Sequence, residues 1–289
     1  MWVKLLLAAL SVLPLSVLHV LGGWLGRFVA RFDKRYGARL AKNASQAGFT
    51  SRQFARDSAA HMGRSVLELA HIWTWRIDAL LPKVKVTGWE AVQKIQDSGQ
   101  GVLMLTPHIG AFELLSLWIG QRAPFTAMYR PPKQAMIAEA MLSGRQKYQV
   151  KMASADVKGI RTMLRALKNG ELVGLLPDQV PNAQGDAVLV DVFGAPAWTM
   201  TLPSKLLRQT GAALVIMSAR RVYAPHRYEI DFQVVEFVPS LDMAADAARV
   251  NELMASVIHR APEQYLWGYN RYKGVPEVTK SEGKADADV

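Results

Sequence analysis

The hydrophobic pattern divides the chain into contrasting textures. From Leu5 to Gly26 almost every position is apolar, broken only by Ser11, Pro14, Ser16 and His19. About 20 such residues are enough to cross a bilayer, so the run predicts a spanning or deeply embedded helix over residues 1–26. A cleaved signal sequence fits less well, because positions 18–30 offer no small-x-small cleavage site. Arg27, Arg31, Lys34, Arg35, Arg39 and Lys42 follow, with Asp33 as the only acid among them. That asymmetry predicts a cytoplasmic position for the rest of the chain.

Residues 27–82 read as a basic helical segment, with Leu67, Leu69 and Ile72 as core positions. His61 and His71 have no acidic or His partner four residues on, so they read as packed or surface groups rather than metal ligands. Trp73 and Trp75 suit either a membrane interface or a core.

From Lys83 the texture becomes short apolar runs alternating with amphipathic segments, the mark of an α/β domain with a central, mostly parallel or mixed sheet flanked by helices. Strands are predicted at 84–87, 102–105, 125–129, 172–176, 213–218 and 228–235, and helices at 111–120, 132–144, 157–168, 200–209 and 242–259. Gly170 and Gly211 close two of those helices. The domain extends over 83–273, and the unpatterned stretch 274–289 reads as a mobile tail.

Composition narrows the classes. A chain of 289 residues with 50% hydrophobic and 20% charged residues can bury a substantial core. A net charge of +11 calls for acidic partners: nucleic acid, an anionic membrane, an acidic protein or a phosphorylated substrate. There is no cysteine, which excludes disulfides, thiolate zinc sites and a Cys nucleophile. There is no Gly-x-Ser-x-Gly elbow, Walker loop, Gly-x-Gly-x-x-Gly or His-Glu-x-x-His motif. No metal or cofactor is called for.

The candidate chemistry lies in Thr106-Pro107-His108-Ile109-Gly110-Ala111-Phe112-Glu113. On one continuous helix His108 and Glu113 would point roughly 140° apart, so His108 is expected in a strand-to-helix turn and Glu113 in the first helical turn. From there Glu113 is expected to reach back to the imidazole, leaving the other ring nitrogen free as a base. His226 and Asp231 have the same separation, but Ala224-Pro225 before them and the alternating run after them predict a hairpin turn and a half-exposed strand. Arg130 ends a predicted strand, where its guanidinium suits a phosphate. Asp178 also ends a buried strand, and is read as orienting an arginine, contacting an acceptor or capping nearby backbone.

Further motifs accompany the His-x4-Glu element: Tyr129-Arg130-Pro131-Pro132, Arg145, Lys158-Gly159-Ile160-Arg161, Leu176-Pro177-Asp178-Gln179, Ala261-Pro262-Glu263-Gln264-Tyr265-Leu266-Trp267 and Arg271-Tyr272-Lys273. Taken in order, they resemble the bacterial lipid A late acyltransferases within the lysophospholipid acyltransferase superfamily. The resemblance implies a membrane-bound acyltransferase at the cytoplasmic face of the bacterial inner membrane. Its expected donor is an acyl carrier protein thioester or acyl-CoA, and its acceptor a hydroxyl of a phosphorylated glycolipid. His108 and Glu113 would be catalytic, and Arg130, Arg145 and Asp178 would bind substrate, with Arg145 gripping phosphate or steadying developing charge. Lysophospholipid or glycolipid acylation is the alternative within the superfamily. A non-catalytic, membrane-tethered basic binding protein is the alternative outside it, although no aromatic-basic signature for nucleic acid is present.

Overall fold

A computed structural model describes residues 2–181, 186–222 and 227–275. His226, residues 182–185 and nearly all of the expected mobile tail lie outside the described residues.

The chain opens with helices α1 (Trp2–Ser11), α2 (Leu15–Phe32), α3 (Lys34–Gln46), α4 (Arg52–Leu67), α5 (Leu69–Ile72) and α6 (Ile77–Leu80). Alternation then begins with β1 (Val84–Thr87), α7 (Trp89–Asp97), β2 (Val102–Leu105), α8 (Phe112–Gly120), β3 (Phe125–Tyr129), α9 (Ala135–Arg145), β4 (Val150–Ser154), α10 (Val157–Lys168) and β5 (Leu172–Leu175). A hairpin of β6 (Ala187–Val192) and β7 (Ala195–Met200) precedes α11 (Leu202–Thr210), β8 (Ala213–Arg221), β9 (Tyr228–Val235) and α12 (Met243–His259).

Among the described residues the main sheet has seven strands in the order β1-β9-β8-β2-β5-β3-β4, parallel except where β8 meets β9. The expected α/β architecture is therefore present. β2 and β5 lie mid-sheet and are buried at every position, as their uninterrupted apolar runs require. One face packs Val102, Met104, Phe125 and Met217 against Leu114, Leu115 and Trp118. The other packs Leu103, Leu105, Val173 and Leu175 with Met163, Leu167, Leu206 and Met254.

The N-terminal region departs from expectation. Among the described residues no helix is long and apolar enough to cross a membrane. Pro14 stands at the break between α1 and α2, and neighbouring side chains engage the carbonyls exposed there: Arg76 Nε donates to Ser11 O at 3.0 Å, and His71 Nε2 lies 2.9 Å from Leu13 O. At 18 residues α2 spans about 27 Å, and it lies along α4. Gly22, Gly26 and Gly63 permit that approach: a Cβ on Gly63 would lie 1.9 Å from Gly22 O, and one on Gly26 1.9 Å from Ala59 O. The outer face exposes Val17, Val20, Leu21, Trp24, Leu25 and Phe28. The apolar run thus divides into a packed glycine face and an exposed bulky face.

Candidate active site

His108 lies in the turn between β2 and α8, and Glu113 in the first turn of α8, as the sequence predicts. The turn is held from several sides. Gly110 N donates to Gln264 O at 3.0 Å, Ala111 N to Ala219 O at 2.8 Å, and Leu266 N to His108 O at 3.1 Å. Gly110 has φ 59°, and a Cβ there would lie 2.0 Å from Ala219 O, so both conformation and space require glycine.

Behind the turn lies a buried polar network. Glu68 accepts from Arg221 Nη1 at 2.7 Å and from the Tyr228 hydroxyl at 3.0 Å, and its Oε2 lies 3.1 Å from His19 Nε2 on α2. Arg221 Nη1 also donates to Ser65 Oγ at 3.0 Å, and Ser65 Oγ is 3.4 Å from Gly110 O. Arg221 and Gln264 exchange a pair of hydrogen bonds at 2.9 and 3.1 Å. Burial opposes charge on Glu68, but Arg221 and the His19 contact outweigh it and hold the carboxyl below its ordinary range.

The partner of His108 is Asp178. Its Oδ2 accepts the His108 backbone N–H at 2.9 Å, and its Oδ1 lies 2.7 Å from Nδ1. An ionised carboxylate only accepts, so Nδ1 carries the proton and Nε2 is left with its lone pair. Gln179 Nε2 stands 3.2 Å from that Nε2, and the Phe112 ring meets the imidazole edge-on at 5.0 Å. Burial works to raise the Asp178 pKa, yet the charge and hydrogen bonds of His108, with help from Arg271, hold it below the carboxylate range. Arg271 is itself fixed by bonds to Trp198 O at 2.6 Å and Thr199 Oγ1 at 2.8 Å.

Glu113 does not reach back to His108. It takes a two-pronged grip from Arg145, with Nε to Oε2 at 2.8 Å and Nη2 to Oε1, and it accepts from Trp73 Nε1 at 3.1 Å. Burial disfavours the charge on Arg145, but Glu113 more than offsets this and raises the pKa of Arg145. Arg145 Nη1 makes no hydrogen bond with a described residue. The expected His108–Glu113 pair is therefore two pairs, His108–Asp178 and Arg145–Glu113. Of the roles read for Asp178, the capping of nearby backbone is present, at the His108 N–H, and the same carboxylate also holds the His108 ring. The planar guanidinium of Arg145 matches the two oxygens of the Glu113 carboxylate, which a single imidazole N–H cannot.

His108, Glu113 and Arg145, together with Arg130, project into one cavity of about 370 Å³. Asp178 lies behind His108. The walls are mostly apolar: Leu115, Phe125, Ala127, Met152, Met200 and Met217. Arg130 is exposed at the rim and has no partner among the described residues.

Register explains the cavity. Across the sheet, Met104, Gly174, Ala127 and Met152 stand side by side on successive strands. Gly174 and Ala127 leave that row low. Phe125, two residues back on β3, closes the gap: a Cβ on Gly174 would lie 2.2 Å from Phe125 Cζ. Sequence reasoning missed Gln179 and Trp73 at this site. It also missed the role of Asp178, although a shared Leu-x-Pro pattern before His108 and Asp178 carried the signal.

An α/β sheet edge that presents a histidine and an arginine–carboxylate pair to an apolar cavity suits handling of a long apolar group. The chain belongs to the bacterial lipid A biosynthesis acyltransferases, whose family profile matches residues 1–274. It is an acyltransferase. It is 29% identical over 276 residues to the lipid A biosynthesis lauroyltransferase of Escherichia coli (strain K12), covering 93% of this chain and 89% of that one. It is 26% identical over 271 residues to the palmitoleoyltransferase of the same organism, covering 91% and 87%. Among solved structures, the 1-acyl-sn-glycerophosphate acyltransferase from Thermotoga maritima aligns at 12% identity with a TM-score of 0.37, covering 86% of this chain and 95% of that one.

Proposed function

We propose that this protein moves a fatty acyl chain from an acyl carrier protein thioester to a hydroxyl of a phosphorylated lipid A precursor, with His108 as general base. The observation that carries the proposal is His108 Nε2, left basic by Asp178, at the mouth of an apolar cavity. The acyl chain lies in the cavity with its thioester carbonyl beside His108. Nε2 takes the proton of the acceptor hydroxyl as its oxygen attacks that carbonyl, and Asp178 stabilises the imidazolium. The tetrahedral oxyanion is met by Arg145, whose Nη1 is uncommitted, while Glu113 fixes the guanidinium plane. Collapse expels the thiolate, which recovers the proton from His108. Arg130, unpaired at the rim, receives an acceptor phosphate.

The exposed face of α1 and α2, with Arg27 and Arg31 beside it, rests on an anionic membrane as an interfacial surface rather than a span. A site held in this way at the cytoplasmic face of the inner membrane would meet its lipid acceptor there.

The test is incubation of purified protein with acyl carrier protein thioester and an under-acylated lipid A precursor. The expected products are a free carrier thiol and a glycolipid heavier by one acyl group, both lost in His108→Ala. Thioester hydrolysis without a heavier glycolipid, or transfer only to a lysophospholipid, would overturn the proposed acceptor.

A further inference from the structure

One cationic surface is not used by the site described above. α10 carries Lys158, Arg161, Arg165 and Lys168, all exposed. At 100° per residue their side chains fall within an arc of about 80°. The opposite face buries Gly159, Met163, Ala166 and Leu167. None of the four cations has an ion pair among the described residues, so the stripe is a continuous positive ridge about 15 Å long.

Helix stability accounts for only half of it. Arg165 and Lys168 lie in the last turn, where the helix dipole favours cations. Lys158 lies in the first turn, where the dipole disfavours one, and Arg161 and Arg165 are like charges one turn apart. A ridge that works against its own helix at one end is better explained by a ligand.

Position identifies the ligand. Ile160, between Lys158 and Arg161, lines the cavity, as does Ala155, whose N–H donates to Tyr129 O at 3.1 Å. The ridge therefore starts at the cavity mouth, beside Arg130, and runs away from it. The longest run of exposed bulky apolar residues lies on α1 and α2, which pack with α3, α4, α5 and α9, whereas α10, whose one exposed bulky apolar residue is Val157, packs with α11, β3, β4 and β5. The membrane-facing surface has its own cations on α2 and α3.

We infer that the α10 ridge docks an acidic carrier protein, pairing with carboxylates along one of its helices so that the thioester arm enters beside Ile160. This rests on the proposed reaction and adds the surface that receives the donor. Attraction between such complementary surfaces speeds encounter and weakens with salt.

The experiment compares Arg161→Glu/Arg165→Glu with wild type on two donors: acyl carrier protein thioester, and acyl-pantetheine, which has the same arm without protein or charge. The double variant should lose at least 10-fold in kcat/KM with the carrier protein, and the wild-type value should fall with salt while the variant's stays nearly flat. Turnover of acyl-pantetheine and thermal unfolding should be unchanged, which excludes misfolding. Equal loss on both donors, no loss on either, or a loss that follows reduced binding to phosphatidylglycerol vesicles overturns the inference.

Anisotropy of labelled carrier protein gives an independent reading. If wild type binds it and the variant does not, the ridge stands even should neither donor be consumed, and only the proposed reaction falls. If wild type does not bind it, the ridge falls.

Discussion

His108 and Asp178 occupy equivalent positions on neighbouring parallel strands. Each lies three residues beyond a leucine, Leu105 on β2 and Leu175 on β5, and those leucines are register partners. Each also follows a proline, Pro107 or Pro177. The two chains leave the sheet in parallel and deliver imidazole and carboxylate to the same place.

Thermodynamic coupling should follow these pairs. His108→Ala is expected to lower turnover by about 10²- to 10⁴-fold, Asp178→Asn by a comparable factor, and the double variant little further. Glu113→Gln and Arg145→Lys should form a second non-additive set, with Lys failing to replace the planar fork. Loss of Glu113 leaves a buried guanidinium unpaired, at a cost of about 3–5 kcal/mol, seen as a lower Tm. Strong coupling of His108 to Glu113, with independent effects at Asp178, would reverse the assignment.

Gly174 and Phe125 should set how long a chain the cavity holds. Gly174→Ala brings a methyl against the Phe125 ring, so the preference among donors of different length should shift to shorter chains, with about 1–3 kcal/mol of overpacking. Phe125→Leu should shift it to longer ones. Competition between mixed donors, read by product mass, checks both. An unchanged profile in both variants would place the acyl chain elsewhere.

His61 should make stability depend on pH. Burial, then the charges of Arg221 and Arg64, push its pKa down from 6.5 to about 3. The unfolded chain therefore binds a proton between those values that the folded chain refuses. The resulting stabilisation is complete above pH 6.5 and is lost progressively as pH falls toward 3. Urea midpoints measured across that range should fall less steeply for His61→Asn than for wild type. Parallel curves would mean that the imidazole titrates normally in the fold.

The exposed face of α2 should matter to membranes and not to folding. Trp24 and Phe28 are 73% and 60% exposed, so Trp24→Glu/Phe28→Glu should change stability by no more than about 0.5 kcal/mol per site. Co-sedimentation with anionic vesicles should drop sharply, since each ring contributes up to about 1.5–3 kcal/mol when buried. Undiminished sedimentation would remove this face from the membrane contact.

Much of the architecture was legible in local sequence. The buried runs of β2 and β5, Pro107 and Gly110 around the His turn, and the position of Glu113 in a first helical turn all follow from neighbours in the chain. Strand order does not, and the identity of the His108 partner depends on it: only the adjacency of β2 and β5 brings Asp178 to the imidazole. Glu113 was given the wrong partner because Arg145 comes from α9, 32 residues on. The edge strand β4 buries only Val150 and Ala153, and β6 fully buries none of its residues, so neither carries a strong apolar run. In the N-terminal run, hydropathy outweighed Pro14 and the glycines, whose meaning appears only when α4 lies against them.

The Glu68 network sets when the site can exist during biosynthesis. Glu68 binds Arg221 and Tyr228, which lie 153 and 160 residues later in the chain, and the His108 turn depends on Gln264 and Leu266. A ribosome-bound chain that has exposed His108, Glu113 and even Asp178 still lacks the segments that hold their turn. Contacts so distant in sequence form slowly, so a nascent or truncated polypeptide carries the reactive side chains without the geometry to use them.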